Sequence, residues 1–166
     1  MRLTAMTDYA LRLLMHVAQH PQRLCTIAEV ARAYAISEAH LMKVTHRLAL
    51  GGWLETVRGK GGGMRLARAP QDIRLGAVVR SVEPDFALVE CFDTPAPGAC
   101  PGHGAAHAGC RLDGCCALSG VIAGALQSFM QYLDDHTLAD VLPGAPQRPR
   151  VVALPLPRQV HAATTG

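Results

Sequence analysis

Five of the six cysteines in this 166-residue chain fall in one stretch from Glu90 to Cys116: Cys91, Cys100, Cys110, Cys115 and Cys116. The same stretch carries Pro95, Pro97 and Pro101 together with Gly98, Gly102, Gly104 and Gly109, and it shows neither a helical nor a strand period. Such a loop has no core of its own to order it. Thiolates gathered on it favour a metal ion, an iron-sulfur cluster or disulfides, because the free energy of ligation offsets the entropy of fixing the segment. His103 and His107, four residues apart in the same loop, offer two imidazoles that with two cysteines would make a zinc site. Cys25, far from the others, is expected to be a small buried hydrophobe.

The choice among these chemistries turns on compartment. The N-terminus, MRLTAMTDYALRLLMHV, lacks a signal-peptide layout, since Asp8 and Arg12 interrupt the apolar stretch. No apolar run is long enough to span a bilayer. A soluble, cytoplasmic protein with no membrane association is therefore expected, and in a reducing compartment clustered cysteines are ligands or redox centres more often than bridges. At this length a chain buries a core without disulfide staples. No pattern of convergent polar groups suggests a substrate pocket, so the chain is not read as an enzyme.

The elements that position the loop are mainly helical. Thr7 or Asp8 is expected to cap a first helix running to about His20, with Leu11, Leu14, Met15 and Ala18 on one face. Thr26 with Glu29 forms a capping box that opens a second helix through Ile27, Val30 and Ala31 to about Ala35. Ser37 caps a third, whose Leu41, Val44 and Leu48 face inward, and Gly51-Gly52 stops it. Residues 53–57 and 64–68 read as two strands around the glycine-rich turn 58–63, and residues 73–82 as a short strand and helix. Beyond the cysteine loop, Leu118, Val121, Ile122, Ala125, Leu126, Phe129, Met130 and Leu133 make one apolar stripe on a long helix. With little left in its own chain to cover it, that stripe suits a dimer interface. The fold class is thus mainly α with a small β-hairpin wing, a winged helix-turn-helix followed by a dimerisation helix. The boundaries are 1–84 for the winged domain, 85–116 for the cysteine-rich loop, 117–142 for the dimerisation helix and 143–166 for a disordered proline-rich tail.

Charge divides the chain in the same way. Residues 1–80 carry 12 Lys/Arg against 5 Asp/Glu, and residues 81–166 carry 4 against 8, so the front half is net +7 and the rear half net −4. Only the front half is suited to a polyanion. On the third helix, Ser37, Ala39, His40, Met42, Lys43, His46 and Arg47 lie away from the apolar face, a mixture fit for base edges and phosphates in a major groove. In the wing, Arg58, Lys60 and Arg65 surround three glycines that let backbone and cations approach phosphates together. Double-stranded operator DNA is the expected partner.

Several stretches carry a family resemblance: TDYALRLL (7–14), ISEAHLMKV (36–44), VRGKGGGMRLAR (57–68), VVRSVEP (78–84), VECFD (89–93) and QSFMQYLDDHTLADV (127–141). Together they resemble the NsrR-type repressors, bacterial winged-helix regulators that sense nitric oxide through an iron-sulfur cluster, over residues 1 to about 142. RGKGGG alone would indicate the broader group that includes the IscR type. The resemblance implies a homodimer that binds operator DNA with its cluster loaded and releases it when nitric oxide attacks the iron.

The resemblance also implies the ligands. Cys91 within VECFD matches the first position, and Cys110 and Cys116, followed by Leu118, match the spacing of the other two. The loop between Cys91 and Cys110 is longer than the family's, and the surplus holds Cys100, an alternative to Cys110. Cys115, adjacent to Cys116, is the least suited geometrically. Three thiolates leave one iron of a cluster to a weaker donor. In NsrR-type proteins with a 4Fe-4S cluster this donor resembles Asp8, reaching from the partner subunit, with Arg12 one turn later orienting it. A 4Fe-4S cluster is therefore expected ahead of 2Fe-2S. The alternatives are an IscR-like redox-responsive regulator, against which the lack of a histidine in 117–121 weighs, and a zinc-stabilised DNA-binding module.

Overall fold

The structure is a computed structural model, and it describes residues 3–89 and 117–145. Its elements in chain order are α1 (Ala5–Ala18), α2 (Ile27–Tyr34), α3 (Glu38–Leu50), β1 (Leu54–Val57), β2 (Gly63–Leu66), α4 (Leu75–Val82) and α5 (Ala117–Asp134). Short 3-10 turns lie at Pro70–Asp72 and Leu138–Val141.

The first helix begins earlier than the sequence suggests. Its cap is Thr4, not Thr7 or Asp8, and it ends at Ala18, with Gln19 as C-cap, rather than at His20. The cap position explains the shift, because Thr7 is fully buried within the helix and its hydroxyl donates to Glu83. The buried face is Thr7, Ala10, Leu13, Leu14, Val17 and Ala18, so Leu11 and Met15 sit at its margin, partly buried against the core.

The helix-turn-helix follows the expected signals closely. Thr26 Oγ1 accepts from Glu29 N at 3.2 Å while Thr26 N donates to Glu29 Oε2 at 2.7 Å, a closed capping box. The α2–α3 link is tight because Ala35 adopts a left-handed conformation, φ 54° and ψ 40°, allowing Ile36 N to reach Ala31 O at 3.2 Å. Ser37 then caps α3, which buries Leu41, Val44, Thr45 and Leu48.

The wing is a two-stranded antiparallel sheet in which Leu54 faces Leu66, Glu55 faces Arg65, Thr56 faces Met64 and Val57 faces Gly63. Both strands are shorter than expected, since Trp53 and residues 67–68 lie outside the ladder. Trp53 is instead buried, with its indole donating to Ser81 Oγ at 3.0 Å and the Arg68 guanidinium 5.0 Å from its ring centre. Met64 is held on its other edge by Cys25, through paired backbone bonds of 2.9 and 2.8 Å. No side chain fits at Gly63, where a Cβ would lie 2.6 Å from Cys25 O.

No strand forms at 73–74. Arg74 makes an isolated bridge with Thr137, and α4 follows directly. One core joins α1, α2, α3, the wing and α4 through Leu13, Leu14, Val30, Leu41, Leu48, Met64, Ile73 and Val78, and Leu138 from beyond α5 completes it at zero exposure. The long helix stops at Asp134 because Thr137 and Asp140 make a second capping box that starts the 3-10 turn 138–141. No α5 residue is buried; Leu118 and Val121 are 61% and 68% exposed, while Phe129, Met130 and Leu133 nearer its end are partly covered.

Candidate nucleic-acid interface

The third helix presents its polar face outward because burial takes Leu41, Val44, Thr45 and Leu48 at the helical period. Ser37, Ala39, His40, Met42, Lys43, His46 and Arg47 are all exposed. Three of these side chains have partners within the chain. His40 Nδ1 lies 2.9 Å from the Ser37 hydroxyl, and Arg47 Nη1 donates to Val82 O at 3.3 Å, tying α3 to the end of α4. Met42, Lys43 and His46 form the remaining exposed face, with Met42 54% accessible despite its apolar side chain.

In the wing, Arg58 and Lys60 stand on the exposed turn, where Gly59 and Gly61 take φ values of +101° and +80°. That backbone disfavours side chains, and a Cβ at Gly62 would collide with Val57 O. The glycines therefore fix the turn while the cations project from it. Arg65 is on β2, where its guanidinium pairs with Glu55 of β1 at 2.7 Å, a cross-strand ion pair open to solvent.

Asp8 lies in the first turn of α1, half-exposed, with Arg12 Nε 2.9 Å away one turn later. Cys91, Cys100, Cys110, Cys115, Cys116, His103 and His107 lie outside the described residues, as does the tail from residue 146. What the structure does give is the ground from which the loop departs. Glu83, the C-cap of α4, accepts from Thr4 N at 2.8 Å, from Thr4 Oγ1 at 3.2 Å and from the Thr7 hydroxyl. A single carboxylate thus binds the entrance of the cysteine loop to the start of α1, beside Asp8. Asp8 is an accessible carboxylate at that end, and thiols such as those of Cys91, Cys110 and Cys116 are donors of the kind an iron-sulfur cluster takes. Sequence reasoning does not single out Glu83; its place at the end of α4, just before Pro84, is the one signal that could have.

Cys25 is a buried free thiol, as expected, and burial pushes its pKa up. It has company that the sequence does not announce: one donor atom each from His16, His20 and Cys25 lie within 4.8 Å of one another. The i, i+4 spacing of the two histidines is the only local sign of it. Burial, then the neighbouring His20, holds the His16 imidazole below its usual pKa. Glu29 is held low chiefly by the backbone hydrogen bond from Thr26.

Comparison with known proteins bears on the fold and the family. Residues 3–144 match the Rrf2 family, described as an iron-dependent transcriptional regulator. The chain is 43% identical over 143 residues to the HTH-type transcriptional regulator NsrR of Bacillus subtilis, covering 86% of this chain and 90% of that one. It is 42% identical over 144 residues to NsrR of Geobacillus kaustophilus, with 86% and 90% covered. Among solved structures, IscR of T. potens superposes with a TM-score of 0.62 at 23% identity, covering 84% of this chain and 85% of that one. CymR, the global cysteine regulator of B. subtilis, gives 0.60 at 18%, covering 84% and 95%. A capped helix pair, a glycine-built basic wing and these matches lead to one assignment: the chain is a DNA-binding transcriptional regulator of the Rrf2 family, of the NsrR type.

Proposed function

We propose that the protein is a dimeric repressor that senses nitric oxide through an iron-sulfur cluster and releases operator DNA in response. The observation that carries this reading is the 43% identity over 143 residues to an NsrR regulator; within the chain, the Glu83 carboxylate fastens the segment leading into the cysteine loop to the start of α1. Cys91, Cys110 and Cys116 would hold the cluster, with Cys100 as the alternative to Cys110, and Asp8 of the partner subunit would complete it, a 4Fe-4S cluster ahead of 2Fe-2S. When bound, the cluster supplies an iron that nitric oxide can reach.

The chain's own residues do the rest. Arg12 orients the Asp8 carboxylate across one helical turn. α1 packs on α3, so a change at Asp8 reaches the recognition helix through side chains already in contact. Lys43, His46 and Met42 meet base edges, while Arg58 and Lys60 neutralise phosphates. The exposed Leu118 and Val121 of α5 meet a second copy, which places two recognition helices one turn of DNA apart. A hundredfold change in operator affinity requires about 2.7 kcal/mol of differential binding, within reach of one ligand's attachment.

Anaerobic purification with an absorption spectrum and iron, sulfide and zinc analysis tests the cofactor; a colourless protein holding zinc alone in the loop would overturn it. Operator affinity before and after nitric oxide, at one salt concentration, tests the switch. Asp8→Ala should keep a cluster on three thiolates yet show a smaller difference between the two states. A full difference in that variant would reduce Asp8 to a charge at a helix end. For the wing, Arg58→Ala and Lys60→Ala should each weaken binding to all sequences and lower the salt slope by about 1. Unchanged affinity and slope would remove the wing from the interface.

A further inference from the structure

We propose a second metal site, separate from the cysteine loop, in which Cys25, His16 and His20 hold one thiophilic d10 cation, Zn2+ or Cu+. The three residues belong to different pieces of local structure. His16 is in the last turn of α1, His20 just beyond it, and Cys25 immediately before the Thr26 cap of α2. The helix end and the link after it fold back so that one donor atom from each lies within 4.8 Å of the others.

Tetrahedral zinc, with bonds of about 2.3 Å to sulfur and about 2.0 Å to nitrogen, sets such donors about 3.3 to 3.6 Å apart, so small side-chain rotations close the site. Two features of the hydrogen bonding single out this trio. His20 Nδ1 lies 2.9 Å from His16 O, an arrangement that fixes the ring and leaves its Nε2 for an ion, as ligating histidines ordinarily use their other nitrogen on a carbonyl. His16 Nε2 is buried and has no hydrogen-bond partner among the described residues. A buried imidazole nitrogen without a partner is costly unless something meets it. Beside it stand the His20 ring, 4.8 Å between centres, and a fully buried thiol. Ligation would take the Cys25 proton to solvent and leave both imidazoles neutral, giving a thiolate and two nitrogens, a set that zinc and monovalent copper both accept.

The position gives the site a consequence. The Cys25 backbone is paired with Met64 of the wing, and the next residue caps the first helix of the helix-turn-helix. An ion here would clamp the end of α1 to both, stiffening the DNA-reading head.

The test uses the full-length chain with Cys91, Cys100, Cys110, Cys115 and Cys116 each changed to Ser, leaving Cys25 as the sole thiol. Titration with Co2+, displaced afterwards by Zn2+, should give a 1:1 complex with a thiolate-to-cobalt charge-transfer band. Cys25→Ser should abolish that band, and His16→Gln or His20→Gln should weaken binding by at least about tenfold, no less than loss of a supporting hydrogen bond costs a metal site. Competition for Cu+ against a chromophoric chelator separates the two ions, and tight binding of either supports the site. In the otherwise unaltered chain, the zinc or copper retained against a competing chelator should fall by one equivalent in His20→Gln, a variant at a partly exposed position that spares the core. Absence of both the charge-transfer band and tight Cu+ binding in a folded protein, or retained metal unchanged in His20→Gln, would overturn the proposal.

Discussion

At the scale of single residues, the cost of burying polar groups decides what each can do. His16 is held below the ordinary imidazole value of 6.5, first by burial and then by His20, with Arg23 adding to the effect and Glu29 opposing it. Tyr34 and Cys25 also face it, and neither offers its Nε2 a hydrogen bond. With the folded value depressed, the unfolded chain takes the proton more readily. The stability this neutral imidazole contributes is therefore present above 6.5 and lost as pH falls through the folded value. Urea unfolding in the presence of a chelator, from about pH 7 to about pH 5, should show stability declining, and His16→Phe should flatten the decline. An unaltered pH dependence in that variant would assign the decline to other groups. Glu83 is the opposite case, a carboxylate satisfied by three donors, two from the Thr4 cap and one from Thr7 of α1.

Among elements, the α2–α3 link is the sharpest constraint, because Ala35 sits at φ 54° with a Cβ that the left-handed region disfavours. Ala35→Gly should therefore stabilise the domain by about 0.5 to 1 kcal/mol, read from a denaturation midpoint, with α2 and α3 unchanged. A loss of stability would mean that the Ala35 methyl is packed rather than strained. This link also shows what is legible in the sequence. Thr26 with Glu29, Ser37 and the glycine-rich turn are local signals whose hydrogen bonds or dihedrals involve residues a few positions apart, and helix-turn-helix and wing lie where they point. The start of α1 is not legible because its determinant is not local: Thr7 looks like a cap until Glu83, far along the chain, is seen to take its hydroxyl. Ile73 and Arg74 read as a strand because nothing nearby says that their partners are Leu138 and Thr137. The proposed interface residues Lys43, His46, Arg58 and Lys60 are legible as exposed cations or polar groups. That Arg47 is tied to Val82 and Arg65 to Glu55 is not, since those partners are set by packing and strand register. The Cys25 trio stays hidden for the same reason, being assembled by a chain reversal.

For the whole molecule, the junction of α4 and α5 matters most. Asp134 receives Arg80 at 2.5 Å on its carboxylate and Arg74 at 2.9 Å on its carbonyl. Gly76 leaves no room for a side chain, as a Cβ there would collide with the Asp134 carboxylate. Gly76→Ala should accordingly displace the end of α5, lowering thermal stability by about 1 to 3 kcal/mol and weakening operator binding, even though it lies on neither the wing nor α3. Intact DNA affinity at lowered stability would uncouple α5 from the reading head. The same junction has a mechanical consequence. α5 is 18 residues long, about 27 Å, and is gripped at Asp134 while its other end adjoins Cys116. A rigid rod held at one end is a lever: a pivot of about 10° at Asp134 sweeps the far end through about 5 Å. In reverse, a displacement of a few ångströms beside the cysteine loop reaches α4 as a small torque, reduced in travel and raised in force.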